Sequence, residues 1–407
     1  MPIEDQYRLW CSGGGVSDGG PSDWYITDQD QRRSITVQMD GEQETEDLAM
    51  KHLRTHIEDL ASDVTFIHVA PDGELLSVSN DPFHDVTCTV YYPPPGLIDP
   101  PSRGAVQTVV RSELRELDRL GPHIDLVSYQ INGETTKTRK VVFKYYWQFQ
   151  FLGKQWDELN LWLRLPPHPN IVPFDRVVLD EVEGNVVGFT TQYIPGGTLH
   201  ANPSRTLKLK WCEQLMQVID DLNLRYGIAH QDVASHNLLV DEVTDNLMLF
   251  DFNWSAQIGR DRGCDFFRHR PGRDDVKSVA FTIYELITRD FRFRQKNWEK
   301  FGVSEVLDIT DWVPHPDVML DHPVSEFRGA LNAWLKKREA GEKVTIYTDA
   351  PEYIDWPVLE KRRPEFDGYV HRARAEGREV VEWARPKWSS LKGDFYLLST
   401  GKMLSRD

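Results

Sequence analysis

The sequence predicts an α+β protein of two lobes, the first strand-rich and the second helix-rich, with a small α+β domain in front and a helical tail behind. Three observations lead there. Segments rich in β-branched and aromatic residues, Ile124–Tyr129, Val141–Trp147, Ile171–Val178 and Val186–Tyr193, follow one another with a single helical stretch at 154–165 among them. From Leu207 onward the period becomes helical, first in Trp211, Leu215, Val218, Ile219 and Leu222, later in Val276, Val279, Ala280, Ile283 and Ile287. Between them and the N-terminus, Tyr92-Pro-Pro-Pro-Gly and Pro100-Pro-Ser-Arg-Gly form the strongest cluster of breakers in the chain. Domains are accordingly expected at 1–105, 106–340 and 341–407.

In the first domain, residues 11–22 are rich in Gly and Ser and read as a flexible loop. They are no phosphate loop, because Gly-Lys-Ser/Thr and a following helix are both missing. Residues 44–60 carry Leu48, Leu53, Ile57 and Leu60 on one side and predict a helix. The run from Phe66 to Val78 predicts a hairpin turning at Asp72-Gly73. His52 and His56, four apart, have metal-ligand spacing, but no third ligand adjoins them.

Composition narrows the class of function. Lys and Arg number 47 against 64 Asp and Glu, a formal charge of −17 that repels phosphate backbones and anionic lipids. Neither nucleic acid nor a membrane is therefore an expected partner. No window approaches the roughly 18 uninterrupted apolar residues of a spanning helix, and the first residues lack the basic start and apolar run of a signal peptide. The four cysteines lie far apart with no Cys-x-x-Cys pair, which suits a reducing compartment. The expected location is intracellular, cytoplasmic or nuclear.

The densest chemical signal is Gly227-Ile-Ala-His-Gln-Asp-Val-Ala-Ser-His-Asn-Leu-Leu-Val, followed by Leu247-Met-Leu-Phe-Asp-Phe-Asn. It sets Asp232, Asn237 and Asp251 around two short apolar strands. Phosphoryl transfer from a Mg²⁺ nucleotide asks little covalent help of a protein. It needs oxygen ligands for the metal and a carboxylate to orient the attacking hydroxyl, and these three residues are that set. Read alone, each Asp also suits a cap or a turn, and Lys144, in an apolar strand, could snorkel to the surface.

The arrangement resembles the protein kinase superfamily over roughly residues 110–340. Val141-Val-Phe-Lys144 looks like the strand whose lysine holds the α- and β-phosphates, with Glu158 its helix partner and Asp157 a rival. His168-Pro-Asn-Ile-Val is similar to the turn into the next strand. Thr191-Gln-Tyr-Ile-Pro-Gly-Gly-Thr-Leu looks like the hinge, where the backbone of Gln192 and Ile194 would bind adenine behind a Thr191 gatekeeper. Asp275-Val-Lys-Ser-Val-Ala-Phe-Thr resembles the buried helix whose leading Asp braces the catalytic loop. There are departures. Only Gly121 fits the glycine-rich loop, Gln231 replaces the Arg before the catalytic Asp, Ala234 stands where many members carry Lys, and Asn253 replaces the Gly of Asp-Phe-Gly. Asp251 and Asp275 are only 24 residues apart, a short activation segment, and Ala350-Pro-Glu lies downstream of both.

The resemblance implies a protein kinase-like fold and an ATP·Mg-dependent phosphotransferase that moves the γ-phosphoryl group to a hydroxyl, Ser or Thr of a protein substrate. Lys144 would hold the phosphates and Glu158 orient it, with Gly121, Gln192 and Ile194 completing the ATP site. Asp232 would position the acceptor, and Asn237 and Asp251 would hold Mg²⁺. Two alternatives share the fold: a pseudokinase that binds a partner protein without turnover, and a small-molecule kinase. Without an Arg at 231, control is expected from the flanking segments rather than from a phosphorylated loop.

Overall fold

The structure, a computed structural model, describes residues 5–81, 84, 92–98, 106–131, 137–148, 151–260, 269–295, 298–359, 369–385, 388–390, 395–398 and 403–405. Its strands β1 (Leu9–Val16), β2 (Ser22–Asp28), β3 (Arg33–Met39), β4 (Phe66–Val69) and β5 (Leu75–Ser79) form one sheet in chain order. All pairs are antiparallel except β3–β4, which is parallel and spanned by helix α1 (Asp47–His56). Ile35, Val37 and Met39 alternate along β3 and, with Leu53 and Ile57, build a core without solvent access. Gly73, φ +95°, makes the β4–β5 turn where the sequence predicts it.

The Gly/Ser run does not behave as a loop. Its first half is β1, an edge strand with a bulge between Cys11 and Gly13. Ladder hydrogen bonds need only backbone, so a composition without side chains still pairs. Gly14 faces Trp24, whose ring would lie 2.5 Å from a Cβ there, and the missing side chain makes room for the indole.

A second sheet has six strands in the order β6-β10-β11-β9-β8-β7. These are β6 (Thr108–Val110), β7 (Arg115–Gly121), β8 (Ile124–Gln130), β9 (Thr138–Tyr145), β10 (Phe174–Leu179) and β11 (Val186–Gln192). Helix α2 (Leu152–Arg164) connects β9 to β10. On one face Val177 and Phe189 join Trp156, Leu159 and Trp162 of α2 in the main core. On the other, Val127, Val141, Phe143 and Tyr145 form a separate core closed by Trp383. The Trp383 ring stacks on Tyr145 with centroids 5.0 Å apart, and its indole N–H donates to Tyr92 Oη at 2.7 Å.

The remaining core is helical. α3 (Leu209–Asp220), α4 (Asp275–Thr288) and α5 (Val324–Ala340) surround two short ladders, β12 (Ile228–Ala229) with β15 (Ala256–Gln257) and β13 (Leu238–Asp241) with β14 (Asn246–Leu249). α4 is buried nearly all round, Asp275, Lys277, Thr282 and Glu285 included. The whole is a mixed α+β protein, and among the described residues no helix is long and apolar enough to cross a membrane.

The tail departs from expectation. Residues 341–407 are not simply helical: after helix α6 (Tyr369–Ala375) come strands β16 (Trp388–Ser390), β17 (Phe395–Leu398) and β18 (Met403–Ser405) in an antiparallel meander. Phe395-Tyr-Leu-Leu is a continuous apolar run between glycines 393 and 401, which is strand punctuation and not helical spacing. The second half of the breaker cluster, at 99–105, and with it the boundary at 105, lies outside the described residues.

Candidate functional site

Register fixes which way Lys144 points. In β9 it pairs with Ile124 of β8 and Phe189 of β11, while Val142 pairs with Thr191. Lys144, Phe189 and Thr191 therefore share the sheet face that meets α2. Lys144 Nζ donates to Glu158 Oε1 at 2.9 Å and also to Asp251 Oδ1. Burial alone would push the Lys144 ammonium below an ordinary lysine; Asp251 and then Glu158 outweigh it and hold it above. Burial pushes the Glu158 carboxyl up, against the pull of Lys144. Asp157, the rival, faces elsewhere and accepts from the Trp356 indole at 2.8 Å.

A second group of residues follows β12. Asp275, at the start of α4, accepts from the backbone N–H of His230 and of Gln231, both at 2.7 Å, and from the Asn223 amide at 2.8 Å. The loop is thereby pinned to a helix end, with Gln231 held at φ +64°. Asn237 Nδ2 donates to both Asp232 Oδ2 and the Asp232 carbonyl at 2.8 Å. Burial would raise the Asp232 carboxyl, but the hydrogen bond and charge of His236, the charge of His230 and the Asn237 amide bring it down to about 2. It is an ionised acceptor at neutral pH. His230 Nε2 lies 3.1 Å from the Phe250 carbonyl, which ties this loop to the strand end that presents Asp251. Asp251 itself is left-handed, φ +63°, and turns the chain into the short helix Phe252–Trp254.

These oxygens suit a hard divalent cation. Asn237 uses its NH₂ on Asp232, which leaves its carbonyl oxygen for a ligand, and Lys144 engages only one oxygen of Asp251. Two such ligands are what Mg²⁺ takes from protein when phosphates and water supply the rest. Among the described residues no three His, Cys, Asp or Glu side chains gather as a metal centre of their own. His56 Nε2 instead lies 2.8 Å from the Gly73 carbonyl, and His52 packs against the same glycine. At the end of β11 the Gln192 N–H is taken by the Pro173 carbonyl, whereas the Ile194 N–H donates to no backbone carbonyl among the described residues.

Gly121 pairs with Ile124, the β8 residue that in turn pairs with Lys144. It ends β7, and a Cβ there would meet nothing within 4 Å, so no close approach calls for glycine. β7 and β8 join through Pro122-His123 alone, in a tight turn whose His123 is buried at 7% exposure with φ +59°. Its ring lies among Tyr145, Tyr146, Trp147 and Phe151. The junction of β7 and β8 is thus a packed turn.

Sequence reasoning missed two features. Gln231 does not merely lack a charge: its Nε2 donates to the Trp254 carbonyl at 2.7 Å and its Oε1 accepts from the Arg270 N–H, stitching both ends of the segment between Asp251 and Asp275. Residues 261–268 of that segment lie outside the described residues. The tail also reaches the site, for Ile354 N–H donates to the Tyr226 carbonyl and the Trp156 indole to the Pro357 carbonyl. No protein-family model matches the chain, and no curated protein is significantly similar to it.

Proposed function

We propose that the chain is an ATP·Mg-dependent phosphotransferase of the protein kinase type, acting on a hydroxyl such as Ser or Thr of a protein. The observation that carries the reading is the joining of Lys144, Glu158 and Asp251 from three separate elements, beside an Asp232–Asn237 pair on a braced loop. The strand order of the second sheet, with its helical crossover and helical partner body, supports a two-lobed kinase-like fold. In this reading Lys144, oriented by Glu158, binds phosphate oxygens. Asp232, ionised and fixed by Asn237, accepts a hydrogen bond from the acceptor hydroxyl and aligns it. Asn237 and Asp251 would hold Mg²⁺, which supplies charge neutralisation on the phosphates. The Ile194 N–H is a free donor for the adenine edge.

A second reading, a nucleotide-free pseudokinase, is favoured by one observation: the packed Pro122-His123 turn replaces the phosphate cover. Thermal unfolding with ATP separates the two. The phosphotransferase reading expects ATP with Mg²⁺ to stabilise the protein by about 2.7 kcal/mol at 100 times Kd, and clearly more than ATP with EDTA. No shift under either condition would reject nucleotide binding.

A further inference from the structure

α2 carries a second lysine one turn ahead of Glu158. Lys154 and Glu158 are four residues apart and so share a helix face. The Lys154 Nζ rests 4.9 Å from the centroid of the Trp254 ring, three residues beyond Asp251. Arg273 and Arg270 lie over the same ring, at 4.1 and 5.6 Å. Arg273 is neutralised by Glu299 at 2.9 Å. Lys154 is half-buried, and among the described residues no carboxylate forms an ion pair with it.

The charges that act on it most strongly belong to the site. Burial and the repulsion of Lys144 push its ammonium below an ordinary lysine, against the weaker pulls of Asp251, Glu158 and Asp232. Those carboxylates are already engaged: Asp251 and Glu158 by Lys144, Asp232 by Asn237 and, at 3.5 Å, His236. An aromatic face offsets part of the cost of holding an ammonium away from water, but it does not replace an anion. A lysine with no carboxylate of its own, on the helix face that also carries Glu158, is an arrangement that a phosphate group completes.

We propose that Lys154 is a second phosphate-binding residue, contacting the terminal phosphate of the nucleotide. Lys144, drawn back by Glu158, serves the inner phosphates. Lys154, which has the acceptor-facing Asp232 among its charged neighbours, serves the group that is transferred. It brings from α2 a cation that Ala234 does not provide on the loop after Asp232. This inference rests on the phosphotransferase reading and adds a residue that the motifs did not single out.

The test is equilibrium binding of Mg·ATP and Mg·ADP to the full chain, wild type against Lys154→Met and Lys154→Arg. The methionine keeps the stem on Trp254, and the arginine keeps the charge. Removing one charge-assisted contact, worth about 1.5–3 kcal/mol, should weaken Mg·ATP about 10- to 100-fold in Lys154→Met. Mg·ADP should change less than about threefold, and Lys154→Arg should recover most of the ATP preference. Should the methionine variant not fold, the arginine variant must still bind Mg·ATP more tightly than Mg·ADP. A wild type that binds both nucleotides, with the ATP-to-ADP ratio unchanged in Lys154→Met, overturns the role of Lys154 and leaves the wider reading standing. A wild type that binds neither nucleotide overturns both.

Discussion

Asp275 accepts three hydrogen bonds at once, two of them from consecutive backbone N–H groups of the loop that holds Asp232. Residues of this kind were legible in the sequence because their chemistry demands one residue type at one spacing: Lys144, Glu158, Asp232, Asn237 and Asp251 were all marked out by motif. Gln231 was not, because amides bridge segments wherever two backbones come close, and no spacing announces it. His123 was equally silent, and it has a measurable consequence. Burial, then the charges of Arg119, Arg32, Lys144 and Lys154, lower its pKa to about 3. The unfolded chain takes up this proton near pH 6.5, the folded one only near pH 3. Between those values the unfolded state binds more protons, so stability falls as pH falls, by about 1.4 kcal/mol per pH unit, and above pH 6.5 the residue has no effect. Asp232 works in another window: its pKa is depressed to about 2, and its contribution is lost only as pH drops from about 3.9 through that value. Asn tolerates the left-handed backbone at 123. The His123→Asn variant should therefore lose less stability than wild type between pH 6.5 and 4 in urea titrations. Identical slopes would contradict a buried neutral imidazole.

Among the elements, those dense in β-branched and aromatic residues, or with a helical period, were readable. β8, β9 and β11 are such strands and α2 such a helix, buried in the sheet's two cores. β7, Arg-Glu-Leu-Asp-Arg-Leu-Gly, was not readable, because two of its charged side chains are taken up by protein partners instead of water, Glu116 by Arg385 of the tail. Arg119 is buried there and donates to the Gln29 carbonyl at 2.9 Å. The tail segment around Trp356 escaped for a similar reason, being an extended strap with no period at all. It joins the helical body, through Ile354 on Tyr226 and Gln257 Nε2 on the Ile354 carbonyl, to α2 through Trp356 on Asp157. Since α2 carries Glu158, the strap sets where Glu158 stands relative to Lys144. Trp356→Phe keeps an aromatic ring but deletes the N–H donor, a loss of about 1 kcal/mol of stability, and adds the cost of a smaller side chain in a buried site. The variant should also bind Mg·ATP more weakly. A stability loss with unchanged affinity would make the strap a fold element only.

Across the whole molecule, the two sheets share one buried charge cluster. Arg32 of the first domain lies 2.6 Å from Asp125 of β8 and 4.6 Å above the Tyr145 ring, while Arg119 of β7 lies 2.7 Å from the same Asp125. The tail adds Arg385, whose N–H donates to the Gln31 carbonyl. One carboxylate thus serves two buried guanidinium groups, and Asp125→Ala would leave both without it, at a cost of about 3–5 kcal/mol. Calorimetry should show one transition for both sheets in the wild type, shifted down in this variant; two separate transitions in the wild type would mean independent units. Arg119 of the cluster belongs to β7, the strand that leads into the Pro122-His123 turn, so the first sheet supports the sheet that carries Lys144. The claim on which all of this converges is that the residues gathered around Lys144 and Asp232 transfer phosphate. It is tested most directly by following γ-labelled ATP, with Mg²⁺, onto a hydroxyl of the chain itself or of an added protein. Wild type should transfer label, and Asp232→Asn should transfer it at least about 100-fold more slowly while binding Mg·ATP within about threefold of wild type. Undiminished transfer by Asp232→Asn, or a wild type that binds no nucleotide, would contradict the account.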